Sequence, residues 1–138
     1  MNILLEIITP DGVTYKDDVQ EAIVPTTTGE ITILPNHISL VTEVTHGELI
    51  VKKKDKTYSM VITEGFLEVV KNHIVILANY AVRAENINIA KVEEAKKRAE
   101  RLMKEKTSDI DFRVAEADLR KAMLELKIGF KHKKRIPV

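Results

Sequence analysis

"GEITILPNHISLVT", Gly29 to Thr42, decides the fold of this chain. Its first half is β-branched and alternates, which suits a half-buried strand. Pro35 has no amide proton to give a ladder and ends the run, and "PNH" supplies turn residues before a second apolar run, "SLVT", begins. Strand, sharp corner, strand is the grammar of an antiparallel sheet. The same grammar extends in both directions from Ile3 to Asn79. Pro10-Asp11-Gly12, Thr28-Gly29, His46-Gly47, Lys54-Asp55-Lys56 and Lys71-Asn72 punctuate it as turns. Between them lie "ILLEII", "VQEAIV", "EITIL", "SLVTEV", "ELIVK", "TYSMVIT", "FLEVV" and "HIVILA". Tyr58, Met60 and Ile62 alternate with Ser59 and Thr63, so one face is expected dry and the other wet. Two sheets packed face to face would bury the dry faces.

After Asn79 the composition changes to Ala, Glu, Lys, Arg and Leu, with no glycine before Gly129 and no proline before Pro137. This is helix composition. Asn88 is the expected N-cap of a first helix running to about Lys106, with Val92, Ala95, Ala99 and Leu102 on one stripe. "TSD" interrupts it, and Ser108 followed by Asp111 resembles a capping box. The second helix then carries Phe112, Ala115, Leu119, Ala122 and Leu126 at three-four spacing. Two helices with so short a connection fold back as an antiparallel hairpin. Small residues in both stripes allow close axes but bury little, so the seam is expected to be thin. The expected division is a β-sandwich over residues 1–84 and a hairpin with a basic tail over residues 85–138.

Charge follows the same division. Residues 1–84 carry 7 Lys+Arg against 11 Asp+Glu, net −4, and residues 85–138 carry 15 against 10, net +5. An acidic half joined to a basic half suits two surfaces with different partners; chance asymmetry on solvated faces is the plain alternative. The whole chain, 138 residues at net +1, is no general polyanion binder. "KHKKR", Lys131 to Arg135, is the densest cluster. It supports a second reading, a small nucleic-acid-binding module, but stacking aromatics are scarce beside it. A solvated tail or a patch for an acidic protein is the simpler account.

Chemistry is hard to build from these residues. There is no cysteine, which removes disulfides, thiolate nucleophiles and thiolate metal sites. The five isolated glycines form neither a phosphate-cradling loop nor a dinucleotide fingerprint. His37, His46, His73 and His132 are too scattered for a helical zinc pair, and Ser39, Ser59 and Ser108 lack an elbow motif. No catalytic or metal-ligating constellation is expected. "MNILLEIITP" carries Glu6 and no basic lead, so it fails as a signal peptide or membrane span.

Taken in order, "IVPTTTGEITILPNHISLVT", "GELIV", "EGFLEVVKNHIVILANYA" and the Ala/Arg/Glu-rich hairpin resemble the epsilon subunit of bacterial F-type ATP synthases nearly end to end. The resemblance implies a ten-stranded sandwich and two helices on the central rotor stalk. It implies no enzymatic role, coupling of proton-driven ring rotation to ATP synthesis on other subunits, and inhibition of hydrolysis by the hairpin. The implied partners are the gamma subunit, the membrane ring of proton-carrying subunits and, with the hairpin extended, the alpha/beta hexamer. The implied location is peripheral, on the cytoplasmic side of a bacterial plasma membrane. Glu30 matches the family's ring-contacting glutamate and His37 its gamma-facing histidine; the bland alternative is that Asn36 and His37 only satisfy a turn. Arg113, Arg120, Lys121 and Lys127 are the cations the second helix would offer to acidic surfaces.

Departures matter too. Thr32 stands where relatives usually have a second glycine, Ser39 where they often have proline, and Asn79 where many carry aspartate. Some members bind ATP through an Ile-Asp or Leu-Asp pair and a following Arg-Ala. Here Asn88 and Lys91 stand at the acid and the arginine, losing a charge and a planar fork, so ATP binding is expected to be weak or absent and no cofactor is required. Asn88 as a plain helix cap is the competing reading.

Overall fold

The computed structural model describes residues 1–105 and 108–135. The expected helix end at Lys106, and Thr107 of the interruption, lie outside these. The chain divides into two compact units, one from Met1 to Arg83 and one from Ala84 onward.

The first unit holds ten strands: β1 (Ile3–Thr9), β2 (Gly12–Val19), β3 (Glu21–Thr26), β4 (Gly29–Ile33), β5 (Leu40–Val44), β6 (Gly47–Lys53), β7 (Lys56–Ile62), β8 (Gly65–Val70), β9 (His73–Ala78) and β10 (Ala81–Arg83). The expected turns fall between them. Two strands were not legible in advance: β2, whose "GVTYKDDV" is largely polar, and β10, only three residues long. The two layers arise from one continuous sheet folded over, in the order β10-β7-β6-β3-β5-β8-β9-β1-β2 with β4 beside β3.

β3 makes the fold-over. Along one edge it pairs with β6 from Glu21 to Ile23, and at Thr26 it pairs with Val44 of β5 instead. Pro25 sits at this handover and removes a donor where the ladder changes partner. Gly47 begins β6 there, and an added Cβ would lie 3.0 Å from the Pro25 ring, tighter than ordinary contact, so glycine eases the close crossing. Ile3, Leu5, Ile7, Val24, Ile33, Leu49, Val51, Leu67, Val69, Ile74 and Ile76 meet in the core with no exposed surface. Each large aliphatic buried so completely contributes about 1.5–3 kcal/mol. The alternation expected of β7 fails at both ends: Tyr58 is exposed, whereas Met60, Val61 and Ile62 are all buried. Val61 is flanked by strands on both sides, opposite Glu48 and Val82.

The second unit begins with a 3-10 turn, Ala84–Asn86, followed by α1 (Ile89–Lys104) and α2 (Asp109–Arg135). Both caps were legible: Asn88 Oδ1 accepts from the Lys91 amide at 3.1 Å and Ser108 Oγ from the Asp111 amide at 3.2 Å. The buried line of α2 keeps two members of the expected stripe, Ala115 and Ala122, and adds others. Ala115, Ala122 and Gly129, at seven-residue spacing, form it together with Glu125 and Ile128, while Phe112 is 39% exposed. The three-four count from Phe112 reaches Ala115 and Ala122 and the half-buried Leu119 and Leu126, but passes over Glu125 and ends short of Ile128 and Gly129. On α1 only Ala99 is buried and Leu102 is 40% exposed. "KHKKR" is no tail: Lys131 to Arg135 continue α2.

Candidate docking surfaces

Strand alternation places one face of β8, β9 and β1 in the core. The opposite face is not the polar one that rule leads one to expect. Register aligns Glu43 of β5, Phe66 of β8, Leu77 of β9, Ile8 of β1 and Val13 of β2 in one row. Phe66, Leu77 and Val13 are 56, 49 and 57% exposed. The next row runs Val41, Glu68, Val75, Glu6 and Lys16, with Val41 exposed and Glu6 facing His73 at 3.2 Å. Large apolar side chains thus stand on both parities of these strands, and the outer set forms a contiguous exposed strip, the kind of surface that carries intermolecular contacts. The row borders an open hollow of about 660 Å³ at the strand ends, lined by Ile8, Pro10, Glu43, Glu64, Phe66 and Leu77 among others.

The proline corner projects at another place on the same unit. Leu34 and Ile38 flank it at 51 and 80% exposure. The His37 amide donates to the Leu34 carbonyl at 3.1 Å and closes the turn. His37 Nδ1 lies 2.7 Å from the Ile38 carbonyl, so the ring carries its proton there. The polar groups thus satisfy the turn, as the plainer reading has it, and the apolar side chains are left outside. Glu30 stands apart from His37, at the other end of β4, exposed and opposite Pro25. Thr26 Oγ1 steadies that hairpin tip by donating to the Gly29 carbonyl and accepting the Thr28 amide.

Side-chain ties missed in the sequence hold this unit in shape. Lys53 of β6 pairs with Asp17 of β2, which brings the last strand of the sheet back toward β6. The Lys53 hydrogen bond holds the Asp17 carboxyl below the usual carboxylate range and raises the Lys53 ammonium in turn. Beside them Arg83 stacks 5.2 Å from the Tyr15 ring centre, and burial pushes the Tyr15 hydroxyl up. Asp17 reads in the sequence as a solvated charge, and only the fold shows its partner 36 residues away.

In the second unit Arg113, Arg120 and Lys127 recur every seven residues and share one exposed face of α2, with Arg120 3.4 Å from Glu116. Lys121 does not join them. It is half-buried and lines a seam hollow of about 220 Å³ with Lys91, Arg98, Asp118 and Glu125. Glu125 is buried there among cations, a residue that a search for apolar stripes passes over. Asn88 spends its Oδ1 on the cap, and Lys91 points its chain to the same hollow. Among the described residues there is no cluster of three His, Cys, Asp or Glu able to hold a metal, and no helix long and apolar enough to cross a membrane.

Comparison with known proteins places this architecture. A family described as ATP synthase, Delta/Epsilon chain, beta-sandwich domain matches residues 2–84, and one described as ATP synthase, Delta/Epsilon chain, long alpha-helix domain matches residues 85–128. The chain is 41% identical over 131 residues to the ATP synthase epsilon chain of Dehalococcoides mccartyi, covering 94% of each. It is 41% identical over 129 residues to that of Caldanaerobacter subterraneus, covering 93% of this chain and 94% of the other. A chain from the Euglena gracilis mitochondrial ATP synthase structure shares the fold at TM-score 0.64 and 23% identity, over 96% of this chain and 80% of that one.

Proposed function

The chain belongs to the ATP synthase delta/epsilon chain family, and from that premise we propose how its surfaces serve the complex. It is an epsilon chain, a non-catalytic central-stalk subunit of the ATP synthase. The observation that carries the rest is the contiguous apolar row Phe66, Leu77, Ile8 and Val13 on the outer face of a complete core. A sandwich whose interior is already filled has no folding reason to keep it.

The row, with the hollow beside it and the proline corner bearing His37, is the surface for the gamma subunit. The β3–β4 tip bearing Glu30 rests on the membrane ring. Held at both places, the first unit transmits the torque of the proton-driven ring toward catalytic sites on the alpha/beta hexamer. The subunit is peripheral, on the cytoplasmic side of a bacterial plasma membrane.

The hairpin is the regulator. Its one large, fully buried apolar side chain in the described region is Ile128, worth about 1.5–3 kcal/mol, and the Ala and Gly contacts add little. Swinging such an element from 99% closed to 99% open takes about 5.5 kcal/mol of differential binding, within reach of one protein interface. Extended, α2 offers Arg113, Arg120 and Lys127 to acidic surfaces of the hexamer and blocks hydrolysis. Lys121 joins them only after the seam opens. Each exposed cation contributes at most about 1 kcal/mol, so the file acts as a set. Asn88 serves as cap rather than nucleotide ligand, and ATP binds weakly or not at all.

The test is affinity capture of the full chain from detergent-solubilised membranes of its host. Gamma and ring subunits at matching stoichiometry support the reading; their absence from the captured material rejects it.

A further inference from the structure

We propose that Asn72 is a positioning residue that locks the proline corner in the shape its partner reads. The proposal rests on the reading of that corner as a partner contact.

Asn72 is the second residue of the two-residue turn between β8 and β9, where Lys71 and Asn72 have φ of 49° and 61°. Asparagine tolerates this left-handed backbone, and a turn alone would account for its presence. Its side chain is spent elsewhere. Oδ1 accepts the Asn36 amide at 2.7 Å, and Nδ2 donates to the Asn2 carbonyl at 2.9 Å. Its own carbonyl accepts the Leu4 amide at 3.3 Å. The acceptor faces an N–H and the donor faces a C=O, so only one orientation of the amide satisfies both. One residue thereby ties the corner, the turn and the start of β1, segments 36 and 70 positions apart.

The corner needs such a tie. Asn36 has φ 63°, the left-handed residue of the corner, and its amide proton is directed to Asn72. On either side Leu34 and Ile38 stand in solvent. An apolar contact presented from a mobile loop loses affinity to ordering, and fixing the loop in advance removes that cost. Asn72 fixes it from outside the corner, without needing to touch the partner.

The experiment uses the full chain and the F1 sector stripped of its epsilon subunit as probe. Asn72→Gly keeps the left-handed turn and deletes both side-chain bonds; Asn72→Asp keeps the acceptor for Asn36. Amide exchange at residues 36–39 and affinity for stripped F1 are read on each, with Ile38→Ala as the direct contact variant. The expected result is faster exchange and about two- to tenfold weaker binding for Asn72→Gly, the worth of one net hydrogen bond, the one to the corner. Asn72→Asp, which keeps the Asn36 bond but turns an oxygen toward the Asn2 carbonyl, recovers part of both, and Ile38→Ala weakens binding with exchange unchanged. Unchanged exchange in Asn72→Gly, or mobilisation without loss of affinity, overturns the proposal while Ile38→Ala still marks the corner as a contact. If Ile38→Ala binds like the parent, the contact reading fails and the proposal falls with it.

Discussion

Gly65→Ala tests the packing that creates the outer row. Gly65 opens β8 opposite Ala78 of β9, next to the Phe66–Leu77 pair. A Cβ built on it would lie 1.7 Å from the Leu77 carbonyl oxygen, 2.8 Å from its carbonyl carbon and 3.0 Å from Ala78 Cα. All three are backbone atoms, so no side chain can swing aside. Ordinary contact starts near 3.4 Å, so the two strands must part by about 1.7 Å at this point. Strands sit about 4.8 Å apart, and a third of that spacing breaks the ladder locally. Overpacking of this kind costs about 3 kcal/mol, the upper end of its usual range, because only the backbone can yield. For a unit of this size that lowers Tm by about 12–24 °C. Thermal unfolding of the full chain, followed by circular dichroism in the strand region, measures it. A Tm within about 2 °C of the parent would refute the reasoning, since it would mean the strands accommodate the methyl group without strain.

Three further outcomes are expected. Asn88→Ala removes the α1 cap and costs the hairpin about 1 kcal/mol, read as faster amide exchange at Lys91 and Val92. Asp17→Asn breaks the tie between β2 and β6 and lowers Tm at neutral pH. Because Lys53 holds the Asp17 carboxyl down, that stabilisation is present above the ordinary aspartate range and is lost as pH falls through the depressed value, so parent and variant converge in acid; added salt narrows the gap as well. Deleting everything after Ala84 leaves a subunit that assembles and raises ATP hydrolysis above the rate with the full chain, measured by phosphate release from the reconstituted complex. An unchanged rate removes the regulatory role of the hairpin.

Short-range signals were legible because local physics sets them. Turn residues at Pro10, Gly29, Gly47 and Asn72, and the caps Asn88 and Ser108, act within a few positions of themselves. β2 escaped because its polar "KDD" breaks the apolar pattern of a strand: the turn before it was legible, but its hairpin pairing with β1 and its tie to Lys53 do not show in its own residues. The seam was legible at Ala99, Ala115 and Ala122 but not at Glu125 and Gly129, since a buried glutamate and a glycine carry no hydrophobic signal, although Gly129 admits Ile87, whose Cγ2 would lie 3.2 Å from an added Cβ. The docking row was the least legible part. Phe66 and Leu77 look in sequence like core residues, and only strand register reveals that Leu67 and Ile76 beside them already fill the interior. Glu30 and His37 became candidates through family resemblance alone, since an exposed glutamate and a turn histidine carry no physical signal of a partner.

The central claim is that the outer apolar row is the surface through which this subunit joins the rotor. The most direct measurement is titration of F1 stripped of its epsilon subunit with the parent chain and with a Phe66→Glu, Leu77→Glu double variant. Neither side chain belongs to the core, so the variant keeps its fold; two glutamates facing each other across β8 and β9 beside Glu43 lower its Tm, and circular dichroism at the titration temperature checks that it is folded. Equimolar binding by the parent and at least about a hundredfold loss in the variant are expected, the weight of two central apolar contacts replaced by charges. Binding of the folded variant at parental affinity would contradict the claim.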